Sequence, residues 1–396
     1  MTPTGPTDPD GDPFEGFGFF GDLARMLQGS GAVGGDAARQ FAQQIASAGV
    51  SEPNPDPMDR LKLAELARVA EMRVGDVTGL STSTTGGLVS VVPVTRAEWA
   101  RRALDAYRPM LERLSSLTAG DLPPDEPDVG EDPMSQLFGG LAKAMAPMLL
   151  PLLSGSLVGQ LATRSLGQYD LPIPRPPSDE LVVVTANIDA FATEWSLPGD
   201  DLRLWLCLSE LATHAVFGVP HVRATLSGLL EQHAAAFRVE GDALESKIGE
   251  LDLSQPDAVQ ELFGDPLALL GAVQSPEQRA LLPRLEALVA VVVGYVDWVV
   301  DTAGDGLIGS FSMLTEALHR HRVEANEADT FVESLLGLSL GADQYERGEA
   351  FVRGVVERAG TEGLARLWEA AELLPTPAEV DAPGLWLARI EYHEPN

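Results

Sequence analysis

From Leu281 to Val300 the chain is almost continuously apolar, and the charges following Glu286 are Asp297 and, just past the run, Asp301. A helical stretch of this kind must be wrapped by other apolar surface, so it constrains the core of any fold the chain adopts. It also sets an electrostatic problem. Asp301 is expected near the helix end, facing solvent. Asp297, between Val296 and Trp298, is expected to face inward, where a carboxylate is costly without a partner. The natural candidate elsewhere in the chain is His214, because carboxylates commonly orient imidazoles in such pairs.

His214 belongs to a second apolar segment. Leu202, Trp205 or Leu206, Ser209 or Glu210, Thr213 or His214, and Phe217 recur at three- to four-residue spacing, which predicts a helix over 200–218. Asp200 and Asp201 fall at its positive end. Glu210 and His214 then lie on one face, one turn apart. A Glu/His pair at that spacing can bind zinc in principle, and it equally suits a carboxylate–imidazole contact that only stabilises the helix. Cys207, among Leu204, Leu206 and Leu208, reads as a buried inert thiol. Ser209 lacks the strand and Gly-x-Ser-x-Gly setting of a hydrolase nucleophile, and no Gly-Lys-Ser/Thr phosphate loop occurs. His319 and His321 alternate with Arg320 and Arg322 and would point to different helix faces, so they read as surface or ion-paired histidines beside Glu316 and Glu324.

Charge narrows the function classes. With 27 basic and 59 acidic residues, the net charge is −32. Such a surface repels phosphate backbones and anionic bilayers, so neither nucleic acid nor membrane is expected as a partner. The single cysteine excludes an intramolecular disulfide and any cysteine-based zinc finger, and it fits a reducing cytoplasm. The N-terminus lacks the basic start and apolar run of a signal peptide. Residues 144–162 are uncharged and long enough to imitate a membrane span. Pro151 and Gly155 instead predict a buried, broken helix pair.

Organisation follows from punctuation. Residues 1–56 are expected to be a flexible N-terminal segment carrying a Phe-rich docking helix near 14–28 (Phe14, Phe17, Phe19 and Phe20, then Leu23, Met26 and Leu27), with a further short helix over 36–48. Residues 57–396 are expected to form the main domain. Helical spacing runs through 58–74, a strand is expected within 88–92, and Thr95 to Glu98 resembles a capping box opening a helix to about 117. A strand is expected over 181–185, then a helix capped by Asn187, and nearly everything after Pro220 reads as helix. The predicted fold class is mainly α with a few β-strands (α+β).

Several landmarks carry a family resemblance. They are Val94-Thr-Arg-Ala-Glu-Trp99, Asn187-Ile-Asp-Ala-Phe191, Trp205 through Pro220, Gly294-Tyr-Val-Asp297, Glu316-Ala-Leu-His-Arg-His-Arg322, Leu336-Gly-Leu338 and Leu374-Pro-Thr-Pro-Ala-Glu379. In order and spacing the chain resembles the zincin-like zinc-dependent metallopeptidases, or hydrolases, of high-GC Gram-positive bacteria, over roughly residues 90 to 387. The resemblance implies a zincin-like helical architecture. In the family pattern one helix carries His-Glu-x-x-His and a later one Glu-Gly-x-x-Asp. Carried over, Glu210 stands for the first histidine, Leu211 for the catalytic base, His214 for the second histidine, Val293 for the glutamate ligand and Asp297 for the orienting aspartate. The resemblance therefore implies a vestigial metal site and a catalytically inactive homologue, a pseudoenzyme that needs no cofactor and binds a protein or peptide partner through a former peptide cleft. The alternative is an active zinc-dependent metallopeptidase with an atypical ligand set of Glu210, His214 and Asp297.

Overall fold

The computed structural model describes residues 35–120, 154–236, 238–239, 272–273, 275–323, 333, 336–338 and 340–392, and these are mainly helical with a few short strands. The Phe-rich stretch 14–28 and the first part of the uncharged stretch 144–162 lie outside the described residues.

Helix α1 (Gly35–Ala46) places Ala38, Ala42 and Ala46 in the core and packs on α3 (Arg96–Gly120), where Arg39 pairs with Asp105 at 2.7 Å. Its small residues also receive helix α4 (residues 154–162). A Cβ on Gly155 would stand 2.5 Å from the Ala38 carbonyl oxygen, and one on Gly159 would stand 2.8 Å from that of Ala42. The backbones touch there, which only glycine allows.

Helix α2 (Pro57–Thr78) begins where the Asp56 side chain accepts the Met58 N–H, with Pro57 in the first turn. It ends at Gly79, whose φ of 65° is the left-handed conformation that stops a helix. Strand β1 (Ser90–Val94) pairs in parallel with β2 (Glu180–Val184), Val92 opposite Val182. Ahead of β2, the Asp179 carboxylate gathers the loop before β1, accepting the N–H groups of Thr84 and Gly87 at 2.7 and 3.0 Å and the hydroxyls of Ser83 and Thr85. A second, minimal antiparallel pair joins β3 (Arg238–Val239) to β4 (Ala272–Val273).

Two local expectations need correction. Only half of the expected capping box opens α3. The Thr95 hydroxyl accepts the Glu98 N–H at 3.2 Å, but the Glu98 side chain goes to Arg101 and Arg102, each at 2.7 Å. A guanidinium is a stronger partner for a carboxylate than one more backbone N–H. Asn187 is not a cap. It lies inside α5 (Thr185–Glu194), donating to the carbonyls of Ala162 and Ser165 at 3.0 and 2.7 Å and accepting from Arg96. It thus ties the end of α4 to α5.

Helix α6 (Gly199–Gly218) is buried on nearly every side between α2 and α8 (Pro276–Gly304). A helix that is apolar all round belongs in a core. After it the chain turns by 90° into α7 (Pro220–Ala235). Helix α8 starts at a full capping box of Ser275 and Gln278 and contains the apolar run. By length and composition it could cross a membrane, but 78% of its most apolar window is buried inside this fold. It packs along α10 (Ala342–Ala365) so closely that a Cβ on Gly348 would stand 2.0 Å from the Ala290 carbonyl oxygen. Helices α9 (Phe311–Val323), α11 (Pro377–Asp381) and α12 (Pro383–Tyr392) complete the outer layer.

Candidate functional site in the cleft between α6 and α8

Glu210, Ser209 and Thr213 of α6 face Val293 and Asp297 of α8 across a cavity of about 100 Å³. Its other walls come from the loop Ser165–Asp170 and from His321 and Arg322 at the end of α9. The structure therefore brings three of the expected positions, Glu210, Val293 and Asp297, to one cavity. His214 is not in its wall, and Leu211 is fully buried in the core.

Glu210 is only 2% exposed, and both its oxygens are engaged: Oε1 accepts the Tyr169 N–H and Oε2 the Gln168 N–H, each at 3.0 Å. Gly167 allows this approach, since a Cβ there would stand 2.1 Å from Oε1. The same loop is anchored from outside by Trp99, whose indole donates to the Gly167 carbonyl at 2.8 Å. Desolvation, aided by nearby Asp170, pushes the Glu210 carboxyl up to about 8, so it is mostly protonated at neutral pH.

His214 hydrogen-bonds through Nδ1 to the Tyr169 hydroxyl at 2.9 Å, and its Nε2 has no partner among the described residues. Burial lowers the imidazole to about 4, so it is neutral. The expected contact with Asp297 is not made. Asp297 instead takes the Arg322 guanidinium at 2.8 Å. The physical reason is the stronger pairing: a permanent cation offsets a half-buried carboxylate better than a desolvated neutral imidazole. Arg322 is itself wedged between aromatic rings, its guanidinium 5.1 Å from the Trp205 ring and 5.4 Å from that of Tyr345. The neighbours of Arg322 divide between surface and interior. His319 and Arg320 are exposed, while His321 turns in against Phe191, with ring centroids 4.9 Å apart and its imidazole lowered to about 4 by burial.

Asp170 lines the cavity, with part of its surface open to solvent. Desolvation raises its carboxyl to about 6 although it accepts the N–H groups of Leu166 and Gly167. Tyr169 and Asp170 were invisible as site residues in the sequence. No motif marks them, and the short loop carrying Tyr169 and Asp170 acquires meaning only when docked on α6.

These donors do not fit zinc. Glu210 is committed to two amides, Val293 offers no ligand atom and Asp297 is paired with Arg322. Among the described residues no group of three or more His, Cys, Asp or Glu side chains could hold a metal ion. A four-coordinate catalytic zinc needs three protein ligands with one position left open.

A solved structure similar to this one is the crystal structure of a "putative hydrolase with a novel fold" from Chloroflexus aurantiacus. It has a TM-score of 0.63 and 25% sequence identity, covering 92% of this chain and 100% of that one. No curated protein matches the chain. The family model for zincin-like metallopeptidases matches residues 33–387, and the chain therefore belongs to the zincin-like metallopeptidase family.

Proposed function

We propose that this protein is a zincin-like metallopeptidase homologue that has lost hydrolysis and works by binding a peptide or protein in the cleft between α6 and α8. The observation that carries this reading is the engagement of Glu210. The Glu210 carboxyl, which the family resemblance sets at the first metal-histidine position, is turned to the backbone of Gln168 and Tyr169, and Leu211, which it sets at the base position, lies in the core. Without zinc the Lewis acid and the lowered pKa of bound water are both forfeited. A missing general base costs about 10²–10⁴-fold in rate by itself.

The test is elemental analysis of the purified full chain together with a broad peptidase assay. Zinc well below one equivalent and no chelator-sensitive cleavage are expected. Near-stoichiometric zinc, with cleavage abolished by His214→Ala, would overturn the reading in favour of an atypical active peptidase.

A further inference from the structure

On the far side of the Asp297–Arg322 pair lies a second recess of about 370 Å³, between α8, α9 and α10. It shares Trp205, Asp297, Arg322 and Tyr345 with the inner cavity, so the ion pair separates two lobes of one cleft. Its rim is acidic. Arg322 is taken by Asp297 and Arg353 by Glu349 at 2.7 Å. That leaves Asp301, Glu346 and Glu357 with no arginine or lysine partner among the described residues, beside the half-buried face of Trp298. Desolvation, aided by crowding with Asp297 and Glu349, raises the Asp301 carboxyl to about 6.

A second observation is independent of the acids. Trp205 is 5% exposed and lines both lobes, yet its indole N–H has no acceptor among the described residues. Buried donors are almost always paired, so this N–H calls for an acceptor that the described residues do not supply.

We propose that the outer lobe is a binding site for a basic peptide, with a guanidinium or ammonium side chain among Asp301, Glu346 and Glu357 and a main-chain carbonyl accepting the Trp205 N–H. The proposal rests on the reading of this cleft as a binding site and names the ligand class it takes. The acids and the aromatic face suit any organic cation, whereas the buried N–H selects a peptide over a polyamine, which carries no carbonyl.

The experiment uses the full-length protein and three fluorescein-labelled pentapeptides, Ala-Arg-Ala-Arg-Ala and its glutamate and all-alanine counterparts, with spermine as competitor. The arginine peptide is expected to bind and the other two not to. Asp301→Asn with Glu346→Gln should weaken it about tenfold or more, the scale of losing charge-assisted hydrogen bonds. Trp205→Phe, which keeps an aromatic ring, should weaken it several-fold. Glu65→Gln with Asp76→Asn on α2 removes the same charge elsewhere and should leave affinity unchanged. Equal weakening by this control pair would overturn the proposal, exposing generic attraction to an acidic surface. Spermine binding as tightly and untouched by Trp205→Phe would overturn the peptide assignment. If only the glutamate or alanine peptide binds, the cationic ligand is wrong while the binding reading stands; if none binds, both fall. Melting temperatures monitor each variant, and the exposed Asp301/Glu346 pair keeps the test open should Trp205→Phe fail to fold.

Discussion

Glu210 reaches the loop before β2 because Gly167 leaves room for it. In Gly167→Ala the new methyl would meet the carboxylate at 2.1 Å, and the loop must retreat or the Glu210 bonds must break. A loss of about 1–3 kcal/mol is expected, the usual cost of overpacking, and chemical denaturation would measure it. Glu210 also predicts a pH dependence. Its carboxyl is raised from 4.5 to about 8 on folding, so the folded state holds the proton over that interval. Its contribution to stability is fully present below about 4.5 and is lost as pH rises through about 8. Subtracting the stability of Glu210→Gln from that of the wild type at each pH isolates this residue, and the difference should decline from acid to mildly alkaline pH. A flat or rising difference would mean that the folded protein holds Glu210 ionised. The i,i+4 relation of Glu210 and His214 was legible in the sequence. Their partners were not, because Tyr169 lies 41 positions from one and 45 from the other.

Elements were read more easily than contacts. The helix through His214 and the apolar helix through Asp297 lie where their spacing put them, and both strands of the parallel pair fall within two residues of expectation. What period alone could not tell is that α6 is enclosed on nearly every side. This enclosure gives Leu211 a definite cost: Leu211→Glu would place a carboxylate at a fully buried position and should destabilise the fold by about 4 kcal/mol. A melting temperature equal to wild type would show that position 211 faces the cleft instead. The α8–α10 contact makes a second prediction. Gly348→Ala sets a methyl 2.0 Å from the Ala290 carbonyl oxygen, and a backbone cannot yield as a flexible side chain does. A loss of about 3 kcal/mol or more is expected, read as a drop in unfolding midpoint. An unchanged midpoint would mean that these helices do not touch.

Across the whole molecule, a net charge of −32 must work against compactness, since like charges are forced closer in the folded state than in the unfolded chain. Raising ionic strength from about 0.01 M to 0.15 M shortens the Debye length from about 30 Å to about 8 Å, so the melting temperature should rise over that range in sodium chloride. A fall would mean that attractive pairs such as Arg39–Asp105 and Arg102–Glu180 outweigh the general repulsion. The same charge gives the outer lobe its character. Acidic side chains are common on this surface, and in the outer lobe Asp301, Glu346 and Glu357 surround a recess lined by Trp205.

Composition and period were enough to read a mainly helical chain with two apolar helices at its centre and one carboxylate, Asp297, in need of a partner, and the family entered as a resemblance that the family model then bore out. These properties are local: a helix is written every three or four residues, and a misplaced charge is visible among its immediate neighbours. Tertiary structure alone decided who answers each charge. Arg322 rather than His214 takes Asp297, and backbone amides of a distant loop take Glu210. The sequence could rank chemically suitable partners but not place them, because burial and distance are set by how α6, α8, α9 and the loop before β2 pack together, and desolvation then determines which pairing has the lower free energy.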